Sequence, residues 1–599
     1  MTKAAAKTEI QGRANQGPRQ EAVIVAVVLM TTLAAYIGSV WYNFVYDDDG
    51  QIVDNSYIQY WRHVPRYFIS HVWAQEFPHA GGNYYRPLFL LWLRLNDALF
   101  GLRPQGWHAM AIALHLLTTF LVYVLVRKLT GRIPIAGISA LIFGLHPMHA
   151  EVVAWVSGAT ESLCAVFVIG AFLAYLESRR KNAAVAVWMT ISAFLFAIAI
   201  FSKETGIVLP ALVFAHGWIY ADGADAEAGH AVRRFISAAR PALVYLPVAL
   251  FYLLARVLVL KKMGYVLVHL TWRQVIFSIP SMLGFYVEKW FLPIHLNEFY
   301  DMPYWGTLNF WHVILPALLL TALCGVLWKF RNALGRREVE FSLLWIVVPI
   351  LPVLDSRLRP LDEMVHDRYF YLPSVGAAIL VALVIDRWTN SKSRAKIMGL
   401  PDTQVVVALA LAAVLGILAV RGSQYWFSDY TLFQRGYQLA PQNPTGRLDY
   451  GVALLGRGDL EGARSIFTKS LAVDPTDWRT NLNLGQIDYE QHNYGDAEVW
   501  FLRAKQLNGN APDVYRSLGM TDLHTGRLDD AVANMHKAVE LRPNDPGFLF
   551  AYGVLLETQG NCTLASDQFR AALDVRPGAD YAQAQLTRCQ QIMAHTSQN

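Results

Sequence analysis

The sequence predicts an all-α protein in two parts: a polytopic membrane helical bundle of about eleven spans, then an α-solenoid of short helical repeats. Three observations predict it. Long apolar runs fill the chain up to about residue 425, the remainder is polar and helix-forming, and that remainder recurs every 34 residues. Of 599 residues, 54% are hydrophobic and only 16% charged, whereas soluble domains carry about 25% charged residues. The net charge of +5 is small for this length and no basic tract suggests a nucleic-acid partner.

The first element is a polar, basic cytoplasmic tail over residues 1–21. The uncharged run Ala22–Tyr42 that follows is too long for a signal-peptide core and lacks a small-residue cleavage site, so it reads as an uncleaved first span. Further spans fall at about 107–126, 133–148, 161–177, 183–201, 205–221, 241–260, 310–328, 341–354, 369–386 and 403–420, making a membrane domain over 22–421. Two other apolar stretches, 87–100 and 275–293, are interrupted by Arg94, Asp97, Glu288 and Lys289 and read as interfacial or re-entrant helices. Basic clusters at Arg127-Lys128 with Arg132, Arg179-Arg180-Lys181, Arg233-Arg234, Lys329–Arg337 and Arg387–Lys396 then all fall on the cytoplasmic side of an N-in bundle. The same parity puts a long loop of about 44–105, and everything after Arg421, on the outer face. That face is periplasmic in a bacterial inner membrane and luminal in an endoplasmic reticulum.

The repeats follow. Gly451, Gly485, Gly519 and Gly553 lie 34 residues apart, as do Ala463, Ala497, Ala531 and Ala565. Phe467, Phe501, Met535 and Phe569 form another series, and Pro475, Gly509, Pro543 and Pro577 a fourth. This is the period of the tetratricopeptide repeat (TPR): small residues let its two helices approach, a large apolar residue fills the gap and proline ends the second helix. Four full repeats occupy about 444–577 of a 426–599 domain, with Trp426–Pro441 as a preceding half-repeat and the tail after Ala579 as a cap. Cys164 and Cys324 lie in apolar runs and read as small buried thiols, whereas Cys562 and Cys589 lie in the repeats and could pair in an oxidising compartment.

Ionisable residues at membrane depth are costly and mark function. Here they gather on the outer face: Asp47, Asp48 and Asp49 after the first span, Arg86 in NYYRPL, His146, His149, Glu151 and Glu161 in HPMHAEVVAWVSGATE, Lys203 and Glu204 in FSKETG, Arg256, and His366, Asp367 and Arg368 in DEMVHDRYFYLPS. Each has a plain alternative. The acids could belong to a solvated loop, the histidines could cap a helix, and Lys203-Glu204 could be a surface ion pair. His146, His149 and Glu151 also resemble metal ligands, but no further ligand spacing supports zinc. Asp47-x-Asp49 resembles a metal–diphosphate motif, which belongs with soluble nucleotides on the other face. No metal or other cofactor is therefore expected.

These segments resemble the GT-C glycosyltransferases, and in particular the transmembrane-and-TPR-containing family related to protein O-mannosyltransferases. The resemblance runs through VYDDDGQIVDN, YRPL, the Asn96…His108…His115 stretch, LHPMHAEVVAWVSG, FSKETG and DRYFYLPSVG, and then the repeats. It implies a polyprenyl-phosphate sugar donor, a hexose such as mannose, inversion at the sugar carbon, and Asp47 or Asp48 as catalytic carboxylate. By the same resemblance Asn55 matches a recurrent loop residue, and Arg86, His149, Lys203 and Arg368 fall at matching positions. The chemistry of transfer from a phosphate then puts Arg86, Lys203 and Arg368 at the donor phosphate, with Asn55, His146, His149, Glu151 and Glu204 positioning substrate and the repeats holding a protein or peptide acceptor. Two departures stand out: Ala111 replaces the usual Asn between the two histidines, and Ala159-Thr160 replaces a usual Arg after Ser157-Gly158, removing a cation that could touch the donor. The competing readings are a membrane-anchored TPR scaffold without enzymatic activity, which would need only one span, and a lipid-linked-sugar transporter, which should show paired half-sequences that are absent.

Overall fold

A computed structural model describes residues 3–75, 82–180, 182–221, 231–262, 269–355, 357, 364–390, 395–397 and 400–596. Lys181, residues 391–394 of the last basic cluster and Asp362-Glu363 of the DEMVH segment lie outside the described residues, as do the side chains of residues 1–18 of the expected tail. Among the described residues the fold is all-α, apart from one two-residue antiparallel pairing of Lys396–Ile397 with Leu400–Pro401. The chain forms two compact units, Met1–Asp48 with Tyr85–Ser428, and Asp49–Tyr84 with Asp429–Asn599. The outer loop, read from the sequence as one piece of the membrane domain, is thus divided between them.

Among the described residues of the first unit, six helices are long and apolar enough to cross a membrane: Arg19–Trp41, Pro104–Thr130, Ser157–Ser178, Val185–Ser202, Phe310–Leu334 and Asp402–Phe427. Two bent pairs, Ile133–Leu145 with Pro147–Ala154 and Ala231–Leu243 with Leu246–Leu260, make eight if each pair is one span. The expected spans at 205–221, 341–354 and 369–386 coincide with the shorter helices Leu209–Ile219, Arg336–Ile350 and Ser374–Asn390. The two interrupted stretches are the continuous helices Pro87–Phe100, where Arg94 and Asp97 pair one turn apart at 2.5 Å, and Trp272–Phe291. Helix starts are marked by proline in the first turn at Pro87, Pro104, Pro134, Pro210, Pro247 and Pro316, where no intrahelical N–H partner is lost.

Burial sorts these helices by surroundings. The span Ser157–Ser178 is 78% buried and sits inside the bundle, whereas Phe310–Leu334 is 6% and Asp402–Phe427 11% buried, presenting apolar surface outward as a lipid-facing helix does. Cys164 is buried in the first of these, but Cys324 lies exposed on Leu315–Leu334, contrary to the expectation of a buried thiol.

In the second unit the repeats are four helix pairs, from Pro444–Gly456 with Leu460–Val473 to Pro546–Thr558 with Cys562–Val575, preceded by Asp429–Leu439 and followed by Asp580–Thr596. The recurring residues explain their own spacing. A Cβ on Gly451, Gly485 or Gly553 would lie 2.3–2.5 Å from the ring of Phe467, Phe501 or Phe569, so each glycine is the socket for its own repeat's aromatic. A fifth series, not read from the sequence, marks the turn inside each pair: Gly458, His492, Gly526 and Gly560 all have positive φ, from 62° to 88°. Cys562 and Cys589 are buried side by side in one apolar cluster with Leu556, Phe569 and Leu586, as free thiols. The segment Asp49–Tyr84 belongs to this unit, where the Arg62 guanidinium donates to the Asp574 carbonyl.

Candidate active site

The turn after the first span is built around a strained residue. Tyr46 adopts φ 58°, a left-handed conformation uncommon for a bulky side chain and costing of order 1–3 kcal/mol. Extended backbone precedes it, with the Asn43 N–H donating to the Phe427 carbonyl at 3.2 Å. The turn separates the two aspartates that the sequence could not rank. Asp48 is fully buried; its Oδ1 accepts from the Ser157 N–H at 2.8 Å and the Ser157 hydroxyl at 2.6 Å, and its Oδ2 from the Val45 N–H at 3.3 Å. Asp47 is half-buried. Gly158 permits this arrangement, because a Cβ there would lie 2.6 Å from the Glu151 carbonyl oxygen.

Lys203 and Glu204 do not pair with each other. The backbone is extended at Lys203, between the helix Val185–Ser202 and the short turn Glu204–Val208, so consecutive side chains diverge. Lys203 forms a buried ion pair with Glu161. Glu204 accepts a two-pronged bond from Arg86, Nε to Oε2 at 2.9 Å and Nη2 to Oε1 at 2.5 Å. Such forks fix the guanidinium plane as well as its position.

The bend at Pro147 is held by imidazoles. His146 stacks on Trp290 with ring centroids 3.8 Å apart and bonds its carbonyl through Nε2 at 3.0 Å, while its Nδ1 accepts from the Met148 N–H. His149 bonds the Phe143 carbonyl at 2.7 Å and the Ser374 hydroxyl at 3.1 Å. Both rings are buried, and both nitrogens of each bond within the protein across the break in the helix. Asn55, in the second unit, is likewise a cap: its Oδ1 accepts from the Tyr57 N–H at the start of Ser56–Gln59.

Glu151, on the short helix past the bend, binds Arg368 through both the backbone N–H, at 2.9 Å, and the guanidinium. The same guanidinium nitrogen donates to Glu298 at 2.9 Å, and the Trp155 and Tyr369 rings flank it with centroids 5.2 Å away. His366 Nδ1 lies 3.3 Å from Glu298, and the Tyr300 hydroxyl donates to Asp367 at 3.0 Å. Burial raises the Glu298 carboxyl against the opposing pull of Arg368, and burial with the nearby Glu151 raises Asp367 well above the usual carboxylate range. Glu298 escaped the sequence reading; it is one of two acids, with Asp301, in the loop PIHLNEFYD, and that was its one signal. In the second unit, desolvation and the neighbouring Asp429 and Asp54 carboxylates push Asp49 up to about 6, although much of that residue is exposed.

Two tetratricopeptide-repeat families match, over residues 454–519 and 517–582. Protein O-mannosyl-transferase TMTC3 of Mus musculus is 24% identical over 93% of this chain and 64% of its own length. The Homo sapiens TMTC3 protein is 24% identical over 95% and 65%, and Mus musculus TMTC4 is 24% identical over 73% and 64%. The chain thus spans just under two thirds of the length of the curated relatives it matches. Among solved structures, the TPR protein YrrB aligns with 27% of this chain and 84% of its own at 21% identity and a TM-score of 0.24. Apolar helices, tetratricopeptide repeats and a match along nearly the whole chain agree with the resemblance read from the motifs: the homologues of this membrane protein are the protein O-mannosyl-transferases of the TMTC group.

Proposed function

We propose that the protein is a GT-C-type glycosyltransferase that moves a sugar, a hexose such as mannose, from a polyprenyl-phosphate donor to a hydroxyl of a protein acceptor, at the outer membrane face and with inversion. The observation that carries the reading is the Tyr46–Asp48 turn, where a strained backbone presents one carboxylate and anchors the next. Asp47 is assigned as the base and Asp48 as its positioning partner, because the Ser157 hydroxyl and N–H already hold Asp48.

In the step proposed, Asp47 takes the acceptor O–H proton, the freed oxygen attacks the anomeric carbon from the face opposite the leaving group, and the carbon–oxygen bond to phosphate breaks. Polyprenyl phosphate departs with the electron pair. A single displacement of this kind inverts the centre, unlike the two-carboxylate double displacement. Arg86, Lys203 and Arg368 are each oriented by a carboxylate, so their cationic heads are preorganised for the developing phosphate charge and stay close to neutral balance before the donor arrives. The names of the relatives support a protein acceptor, which the repeats would present.

Intact-mass spectrometry of exported proteins from cells lacking this protein, rescued by wild type, Asp47→Asn or Asp48→Asn, tests the reading. A hexose-sized shift restored by wild type, and reduced at least 100-fold with Asp47→Asn, is expected. Full rescue by Asp47→Asn at equal membrane expression would favour the scaffold reading instead.

A further inference from the structure

The sequence led to no metal, yet the folded chain gathers metal-ligand chemistry where the sequence had it dispersed. Glu151, Glu298 and His366 come from three separate segments: the short helix Ala150–Ala154, the loop after Trp272–Phe291, and the loop before Asp367–Phe370. One donor atom from each lies within 4.8 Å of the other two, and all three residues are buried. A cluster of acids alone would mean little. Here two further observations point to a cation.

The first is charge. Two buried carboxylates face each other, Asp367 stands beside them, and among the described residues Arg368 is the cation in contact with the facing pair. Carboxyls buried this close either give up one charge to a shared proton or take a positive partner. The Arg368 nitrogen that touches both Glu151 and Glu298 marks the point where such charge is stabilised. The second is an unused ligand atom. Glu298 Oε2 is fully buried and accepts no hydrogen bond among the described residues, although a buried carboxylate oxygen normally finds a donor.

We infer that Glu151, Glu298 and His366 form a binding site for a divalent cation of the Mn²⁺-to-Zn²⁺ class, closed by Arg368 when the ion is away. Two carboxylates and one imidazole are a mixed oxygen and nitrogen set, which suits these ions better than the all-oxygen shells of Ca²⁺. Arg368 and the ion compete for the same carboxylates, so entry of the ion releases the guanidinium. The inference does not depend on the transferase reading: a scaffold or a transporter could hold the same ion.

The test uses the full chain, purified in detergent and stripped of metal with a chelator. Titration with Mn²⁺, followed by electron paramagnetic resonance, reads bound against free ion without any activity assay. Wild type is expected to bind one Mn²⁺ per chain. Glu298→Gln and His366→Asn should each weaken binding 10- to 100-fold, and Arg368→Gln should tighten it, because the competing cation is gone. The Arg368 arm protects the test from misfolding, since a damaged protein does not gain affinity. Equal binding by wild type, Glu298→Gln and His366→Asn would overturn the site, as would weaker binding by a folded Arg368→Gln variant.

Discussion

Two consecutive aspartates end in different circumstances, and the difference is local. Asp48 is anchored by Ser157 while Asp47 keeps partial exposure, which no reading of DDD in sequence could separate. The same holds for the cations. That Arg86, Lys203 and Arg368 would take charged partners was legible from charge amid apolar sequence, but which partners was not. Arg86 meets Glu204 across 118 residues and Arg368 meets Glu151 across 217, and nothing in either local sequence names the other. Ser157 and Glu298 were missed for that reason. The Arg86–Glu204 fork yields a prediction that separates holding from binding. Arg86→Gln and Glu204→Gln should each lower stability by about 1–3 kcal/mol, by leaving a charged group without its partner. The double variant should regain much of that loss in a thermal-unfolding measurement. If Arg86 also meets the donor phosphate, transfer activity in the double variant stays as low as in Arg86→Gln alone. Restored activity would make the arginine a mere anchor for Glu204.

At the scale of elements, helices were legible wherever apolar length or the 34-residue period spoke for them. What stayed hidden was geometry that sequence encodes through backbone rather than composition. The turn series Gly458, His492, Gly526 and Gly560 is an instance: three glycines at the period are visible, but the histidine masks the fourth. A left-handed non-glycine residue costs roughly 1–2 kcal/mol, while glycine's extra unfolded-state freedom costs about 0.5–1 kcal/mol. His492→Gly is therefore expected to stabilise the protein by a net of about 0.5–1 kcal/mol, and Gly526→His to destabilise it by a similar amount. Denaturant melts of the two variants check the sign. A destabilised His492→Gly protein would mean that the His492–Tyr494 contact at 3.1 Å outweighs the backbone. The assignment of 49–84 to the repeat-containing unit was hidden too, because linear order placed it between membrane segments.

For the whole molecule, the basic clusters forecast one orientation, N-terminus inside and repeats outside. A reporter joined after residue 599 tests it: an enzyme that matures only beyond the membrane should be active, and a fluorescent protein that matures only in the cytoplasm should stay dark. The reverse pattern would place the repeats on the same side as the basic loops and remove the outer-face mechanism altogether. An outward array also has a chemical corollary. Cys562 and Cys589, adjacent in one apolar cluster, would meet an oxidising solution when the chain breathes, and non-reducing mass analysis should find them joined.

The regularity of the array reaches beyond one molecule. Each socket glycine meets an aromatic of its own repeat, and each turn falls at the same offset. An in-frame duplication or loss of 34 residues would therefore leave the glycine sockets and turns within each remaining repeat intact. Through inheritance, such a surface can lengthen or shorten in single steps. The Glu151–Arg368 and Arg86–Glu204 pairings link distant segments, so the part of the chain that holds them admits no comparable step. The lineage of this protein should vary in repeat number long before it varies in helix number.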